Sequence, residues 1–190
     1  ITGGLIVHLG CGDGKRTAAL RANSGYLVQG LDVDPANVLA AREHVQEANL
    51  YGHVTISLID GRQLPYVDNL ANLIVVDSSG EVADAEIMRV LCPNGVALIK
   101  KNQKWIKAIK PRPDNIDDWT HYLHDASNNA VAQDTVVGPP RRLQWNDGPR
   151  YSRHHDRMSS VSAVVSAGGR VFSIEDEQSA ISILLPSRWT

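Results

Sequence analysis

At 190 residues the chain is long enough for one domain of ordinary size, or one domain and part of another. Its apolar fraction of 43% and charged fraction of 21% are those of a soluble globular chain. A net charge of −2 argues against general nucleic-acid affinity, two cysteines cannot build a disulfide framework or a four-cysteine zinc site, and no run approaches the roughly 18–20 apolar residues of a membrane span.

No signal peptide is visible. The chain starts at Ile1, not Met, almost directly on a strand, so removal of an upstream segment is expected. Leu5–Leu9 reads as the first strand, and "VHLGCGDG" follows from it into a helix over Lys15–Ala22, stopped by "NSG". Tyr26–Leu31 is the second strand. Asp34 is an N-cap and Pro35 suits the first turn of a helix reaching about Asn49, with Val38, Ala41, Val45 and Ala48 on one face. Strands follow at Val54–Leu58 and Leu73–Val76, a helix at Ala83–Leu91 closed by "CPNG", and a fifth strand at Val96–Ile99. The alternation predicts an α/β fold: a Rossmann-like, mostly parallel sheet with helices on both faces.

"KPRP" marks a change of texture, and the domains are expected at 1–104 and 105–190. The second part holds all four tryptophans and four of the seven histidines. "DNIDDWTHYLHDASNNAV" reads as a short helix and a polar turn. Val161–Val165 and Arg170–Ile174 flank "SAGG", a hairpin signal, so this C-terminal segment is β-rich.

The glycines of "VHLGCGDG" let a ligand approach the backbone and, at a helix start, point free N–H groups at an anion. The spacing is G-x-G-x-G, and Lys15 stands where the dinucleotide fingerprint wants its third glycine. That favours a nucleoside cofactor bearing a carboxylate, such as S-adenosylmethionine, over a pyrophosphate. Asp32, in "GLDVDP", lies where a carboxylate accepts both ribose hydroxyls. Asp60, in "LIDGRQLP", is placed to take the adenine amino hydrogens, with the Gly61 N–H for a ring nitrogen. Each reading has a structural alternative: a ligand-free glycine turn, a capping acid, a turn aspartate. Cys11 and Cys92 read as small buried thiols.

"VHLGCGDG", "GLDVDP", "IDGRQLPYVDN", "ANLIVVD" and "EIMRVLCPNGVALI" together resemble the class I S-adenosylmethionine-dependent methyltransferases, over about residues 5–100. The resemblance implies a cofactor bed of His8, Gly10, Cys11, Gly12, Gly14, Asp32, Val33, Asp60, Gly61 and Asp77, with Asp77 also facing the acceptor as the one catalytic candidate. The chain departs from that family's pattern in places. His8 stands where an acidic residue is usual, and Asn72 where the fourth strand commonly opens with aspartate. The helix before the first strand, the last two strands and an acceptor-clamping motif after Val76 are not apparent. Methyl transfer asks mainly for alignment of nucleophile and methyl group, so a missing base motif does not exclude activity.

The stretch from "DDWTHYLHDASNNAV" through "SAVVSAGGRVFSI" resembles the entry into a pyrroloquinoline-quinone-type β-propeller of large bacterial two-part proteins. About one blade is present, so exposed strand edges are expected to drive homo-oligomer formation. Location divides accordingly: cytoplasmic for an active methyltransferase, periplasmic or exported if the propeller resemblance governs. His121, His124 and Asp125, with His154, His155 and Asp156, are residue types that bind a metal ion, the alternative being hydrogen-bonded interface histidines. Arg141, Arg142, Arg150, Arg153 and Arg157 form a basic cluster. The leading reading is a methyltransferase-like protein whose small-molecule acceptor is unknown. Other readings are a non-catalytic scaffold of an exported propeller protein, a metal- or histidine-dependent hydrolase, and a dinucleotide oxidoreductase disfavoured by Lys15.

Overall fold

A computed structural model of the chain describes residues 3–78, 80–136, 138, 161–168 and 170–175. It forms two compact units, Ile1–Arg112 and Pro113–Thr190. The first contains strands β1 (Gly4–Leu9), β2 (Tyr26–Asp32), β3 (Val54–Leu58), β4 (Ala71–Val76), β5 (Leu91–Lys101) and β6 (Lys104–Ile109). Helices α1 (Lys15–Ala19), α2 (Pro35–Glu47) and α3 (Asp84–Val90) connect them. The sheet order is β3-β2-β1-β4-β5-β6, with β1 to β5 parallel and β6 antiparallel to β5. This is a Rossmann-like arrangement.

Strand side chains alternate between the two faces, so each central strand feeds two cores. On one face Val7, Leu9, Leu31, Ile74, Val76, Ala97 and Ile99 pack with Ile87 and Val90 of α3. On the other, Ile6, Val28, Val54 and Ile56 pack with Val38, Ala41 and Val45 of α2. Apolar residues at i, i+3 and i+7 put those three α2 side chains on one stripe. The Asp34 carboxylate caps α2 by accepting from Ala36 N, and Pro35 opens its first turn.

The reading of this unit as Rossmann-like holds, with three local differences. First, helix α1 is only five residues long. Second, "CPNG" does not separate helix from strand: β5 starts at Leu91, directly after α3. Leu91 pairs with Ala71 and Val96 with Leu73, so residues 92–95 swell out of the ladder as an irregularity, with Asn94 at φ +62. Third, an antiparallel strand does follow the fifth. Asn102 and Gln103 both take positive φ, the geometry of the mirror-image turns that join tight hairpins. That turn usually announces itself as Asn-Gly. Asn-Gln hides it, and β6 is mostly exposed, so no buried alternation betrays it either. The expected domain boundary at 104/105 falls on this hairpin.

In the second unit, β7 (Val161–Ala167) and β8 (Arg170–Glu175) form an antiparallel pair, the hairpin read from "SAGG". Trp119 is tied to this hairpin at Ser166: Ser166 N donates to Trp119 O at 2.7 Å, and Trp119 N donates to the Ser166 hydroxyl Oγ at 3.0 Å. The helix expected around "DDWTHYLHD" is absent. Residues 121–124 make a turn closed by a His121–His124 bridge, and His124 adopts φ +71. Among the described residues no helix is long and apolar enough to cross a membrane.

Candidate functional site

The strand order reverses between β1 and β4, and ligands of open α/β sheets bind beyond the carboxyl ends of the strands at such a point. A cavity of about 270 Å³ lies there. Its lining comes from the ends of β1 (Leu9, Gly10, Gly12), β2 (Leu31 to Asp34, with Asn37), β3 (Ile59) and β4 (Ser78, Gly80).

The three loop glycines have three different duties. A Cβ on Gly10 would stand 2.8 Å from Ser78 N, so Gly10 lets the β4 loop close against β1. A Cβ on Gly14 would stand 2.8 Å from Ala41 Cα, so Gly14 lets α2 approach. Gly12 has nothing within 4 Å of its missing Cβ and lines the cavity. All three carry positive φ, which disfavours a side chain in any case. Gly12 is therefore the glycine whose missing side chain leaves open space at the cavity.

The expectation of free loop N–H groups is not met. Gly10 N and Cys11 N donate to Leu31 O, Gly12 N to Asp32 Oδ2, Gly14 N to Cys11 O and Lys15 N to Asp13 Oδ1. The loop shapes the cavity floor by closing on itself and on β2, and a five-residue helix adds little dipole.

Asp32 stands at the end of β2, 6% exposed. Its carboxylate accepts from Gly12 N (3.0 Å), Asp34 N (3.0 Å) and Asn37 Nδ2 (3.2 Å). Burial pushes its pKa up, but the Asp34 and Gly12 N–H groups outweigh this and hold it below the usual carboxylate value. A fixed anion thus faces the cavity, with acceptor capacity left for hydroxyl groups. Val33 lines the cavity beside it. Cys11 is buried and its thiol is pushed up to about 12 by burial, so it remains a thiol.

Asp60 and Gly61 sit differently. Asp60 is exposed, does not line the cavity, and caps its own loop by accepting from Arg62 N at 3.0 Å and Gln63 N at 3.4 Å. Those bonds hold its carboxyl below the ordinary range. Gly61 is buried at φ +83 against Val33, and its neighbour Ile59 reaches the cavity.

His8 and Asp77 form a second group at the ends of β1 and β4. His8 is 1% exposed; its Nδ1 pairs with Thr17 Oγ1 at 2.8 Å and its Nε2 with Asp77 Oδ2 at 3.0 Å. Burial lowers its pKa despite Asp77, so a neutral ring that donates from Nε2 to Asp77 and accepts from the Thr17 hydroxyl satisfies every partner. Arg16 Nη1 donates to both Asp77 oxygens, and its guanidinium carbon lies 5.5 Å over the Trp105 ring. Lys100 Nζ is 4.0 Å from Asp77 Oδ1. Burial raises the Asp77 pKa, but the His8 and Arg16 hydrogen bonds prevail and lower it. A carboxylate so held is a weak proton acceptor. Sequence reasoning named His8 and Asp77 but missed Thr17, Arg16, Lys100 and Trp105. Nothing in their spacing signals this convergence, which comes from α1, β5 and β6 meeting at the strand ends. Asn72 has a structural duty: its Oδ1 accepts from Leu5 N at 2.9 Å, tying β4 to the start of β1.

Of the metal candidates, His124 is 4% exposed and its Nε2 is bound to Asp117 Oδ2 at 2.7 Å, with its Nδ1 3.5 Å from Asp125 Oδ2 and its ring edge-on to Trp119. His121 pairs with the Thr120 hydroxyl. Among the described residues no three histidine, cysteine or acidic side chains converge as a metal site. His154 and His155 lie outside the described residues, as do Arg141, Arg142, Arg150, Arg153 and Arg157.

Residues 6–95 match the family model described as a methyltransferase domain. This segment is thus similar to a methyltransferase domain and lies on the Rossmann-like sheet. The chain is 32% identical over 96 residues to the methyltransferase GfsG of Streptomyces halstedii, an alignment covering 47% of this chain and 34% of GfsG. It therefore spans about a third of the length of that relative. Among solved structures it is similar to a Methanococcus maripaludis protein described as a candidate S-adenosyl-L-methionine-dependent methyltransferase, at 30% identity and a TM-score of 0.48, covering 52% of this chain and 48% of the other. It is also similar to the [4+2]-cyclase SpnF, at 26% identity and a TM-score of 0.47, covering 53% and 40%.

Proposed function

We propose that the first unit binds S-adenosylmethionine in the cavity beyond β1, β2 and β4 and presents its methyl group to a small-molecule acceptor. The observation that carries this reading is the buried Asp32 carboxylate facing a cavity whose floor is the side-chain-free Gly12. In this assignment Asp32 takes the ribose hydroxyls, and Gly10, Gly12 and Val33 lie against the nucleoside. Ile59 contacts the adenine face from the apolar side, in place of the Asp60 carboxylate, which is engaged by its own loop. Gly14 and Cys11 support the loop from behind. His8 and Asp77 hold the seam between β1 and β4. The sulfonium supplies the activated methyl group when the cofactor is bound, and the chain's contribution is to orient it and keep the acceptor in line.

Calorimetric titration with S-adenosylmethionine, S-adenosylhomocysteine and NADH tests this. Saturable binding of the first two at micromolar concentration, without NADH binding, is the expected result. Absence of binding by either sulfur nucleoside rejects the assignment.

For the second unit, the β7–β8 hairpin supports a reading as the opening strand pair of a propeller-like blade. In the first, the edge strand β6, with Ile106 and Ile109 exposed, supports pairing with a second copy. Light scattering across a concentration series distinguishes a monomer from such an oligomer.

A further inference from the structure

Asp77 lies against two cations, Arg16 and Lys100, at the ends of β4 and β5. Arg16 uses only Nη1 on it, so Nε and Nη2 have no protein partner among the described residues. Lys100 Nζ, at 4.0 Å, is beyond hydrogen-bond reach of Asp77, and no other acceptor engages it among the described residues. With His8 neutral, two positive charges share one negative charge, and unused donors face outward. Lys100 and Trp105 are direct cross-strand partners on β5 and β6, so their side chains emerge on the same face. Trp105 is 46% exposed there, beside the Arg16 guanidinium. Asp77 is next in the chain to Ser78, which lines the cavity, so the patch lies at the same end of the sheet.

Unspent cationic donors next to an exposed indole recognise a particular chemistry. The donors suit a carboxylate or phosphate, since hydrogen bonds between charged groups are the strong ones. The indole suits an apolar or planar body. We propose that Arg16, Lys100 and Trp105 form the acceptor subsite, and that the acceptor is a small anion: a carboxylate or phosphate attached to an apolar or planar body. Asp77, held by His8, whose ring Thr17 fixes in turn, aims Arg16 and leaves its outer edge free. This rests on the cofactor assignment above, whose cavity lies at the same end of the sheet.

The test uses the full chain and phenyl phosphate, benzoate and neutral benzyl alcohol as probes, titrated by calorimetry with and without saturating S-adenosylhomocysteine. Saturable binding of phenyl phosphate and benzoate, about tenfold or more tighter than benzyl alcohol, is expected. Lys100→Gln and Trp105→Leu should each weaken the anions by about tenfold while leaving S-adenosylhomocysteine affinity unchanged. Equal binding of anionic and neutral probes overturns the proposal. So does a Lys100→Gln chain that loses S-adenosylhomocysteine affinity and keeps the anions, because the cations would then serve the cofactor's own carboxylate. Anion binding without any S-adenosylhomocysteine binding would leave the anion subsite standing and reject the cofactor assignment, so the two failures are separable.

Discussion

The two halves of the sheet meet at the β1–β4 seam and are built from different materials. On the β1–β2–β3 side the candidate site is mostly backbone: a glycine loop closed on itself and on Leu31, and one buried carboxylate held by N–H groups. On the β4–β5–β6 side it is side chains: a paired carboxylate, two cations and a half-exposed indole. A backbone-built bed suits a ligand that is always the same. Side chains are what sequence change can alter without disturbing the fold, so they suit the ligand that differs between proteins of one architecture. The difference teaches where to look for cofactor and where for acceptor.

Five substitutions can break or sharpen that division. The largest effect is expected from Asp32→Ala. It removes the proposed ribose acceptor and orphans Gly12 N, Asp34 N and Asn37 Nδ2 together. Affinity for S-adenosylhomocysteine should fall by about 100-fold or more, since two charge-assisted hydrogen bonds are lost. Undiminished calorimetric affinity would contradict the division at its cofactor side.

Next come the glycines, compared by urea unfolding. Gly14→Ala should cost about 2–4 kcal/mol, because its Cβ meets Ala41 at 2.8 Å on a backbone at φ +79. Gly12→Ala, with open space before it, should cost only about 1 kcal/mol from its positive φ, yet weaken the cofactor. If Gly14→Ala were the milder of the two, the assignment of one glycine to packing and the other to the ligand would be wrong.

The seam should show itself as a pH dependence. Buried His8 has its pKa lowered from the ordinary 6.5 by burial, against the pull of Asp77. It is neutral when folded and takes up a proton on unfolding below 6.5, so its contribution is intact above that pH and is lost as pH falls below it. Asp77, lowered below its ordinary 3.8, adds a further loss at more acid pH. Thermal unfolding of the natural chain should therefore weaken below 6.5 more steeply than that of His8→Asn, whose side chain does not titrate. Parallel pH profiles for the two chains would show that His8 is not the titrating group. The smallest effect lies at the far edge. Gln103→Gly should stabilise the β5–β6 hairpin by about 0.5–1 kcal/mol, because residue 103 sits at φ +63, where glycine is unstrained. A loss of stability there would mean that the Gln103 side chain does more than tolerate the turn.

How much was legible beforehand depended on the range of the interaction. Asp34 with Pro35, the "SAGG" hairpin and the α2 stripe of Val38, Ala41 and Val45 are local patterns found where the sequence placed them, whereas Ala48, expected on the same stripe, is the exposed C-cap. Asp32 was legible as well, because the end of the second strand is a fixed distance from the glycine loop. Asp60 was read from its proximity to the third strand as an adenine acceptor, and what only the structure shows is its Oδ1 accepting from the N–H groups of Arg62 and Gln63. The helix expected at His121–His124 lost to a turn in which Asp117, seven residues upstream of His124, holds the imidazole.

By itself the sequence determined the alternation of strands and helices, the parallel Rossmann-like sheet, the glycine loop and the carboxylate beyond the second strand. Periodicity, capping and turn chemistry act within a few residues and so can be read from a few residues. Only the tertiary structure decided that the loop keeps nearly all its N–H groups to itself, that the three glycines have separate duties, and that β6 exists. It alone decided that Arg16, Asp77, Lys100 and Trp105, spread over 90 residues of chain, meet at one end of the sheet. Such meetings depend on which strand ends lie side by side, and strand order is set by the packing of the whole sheet rather than by any stretch of it.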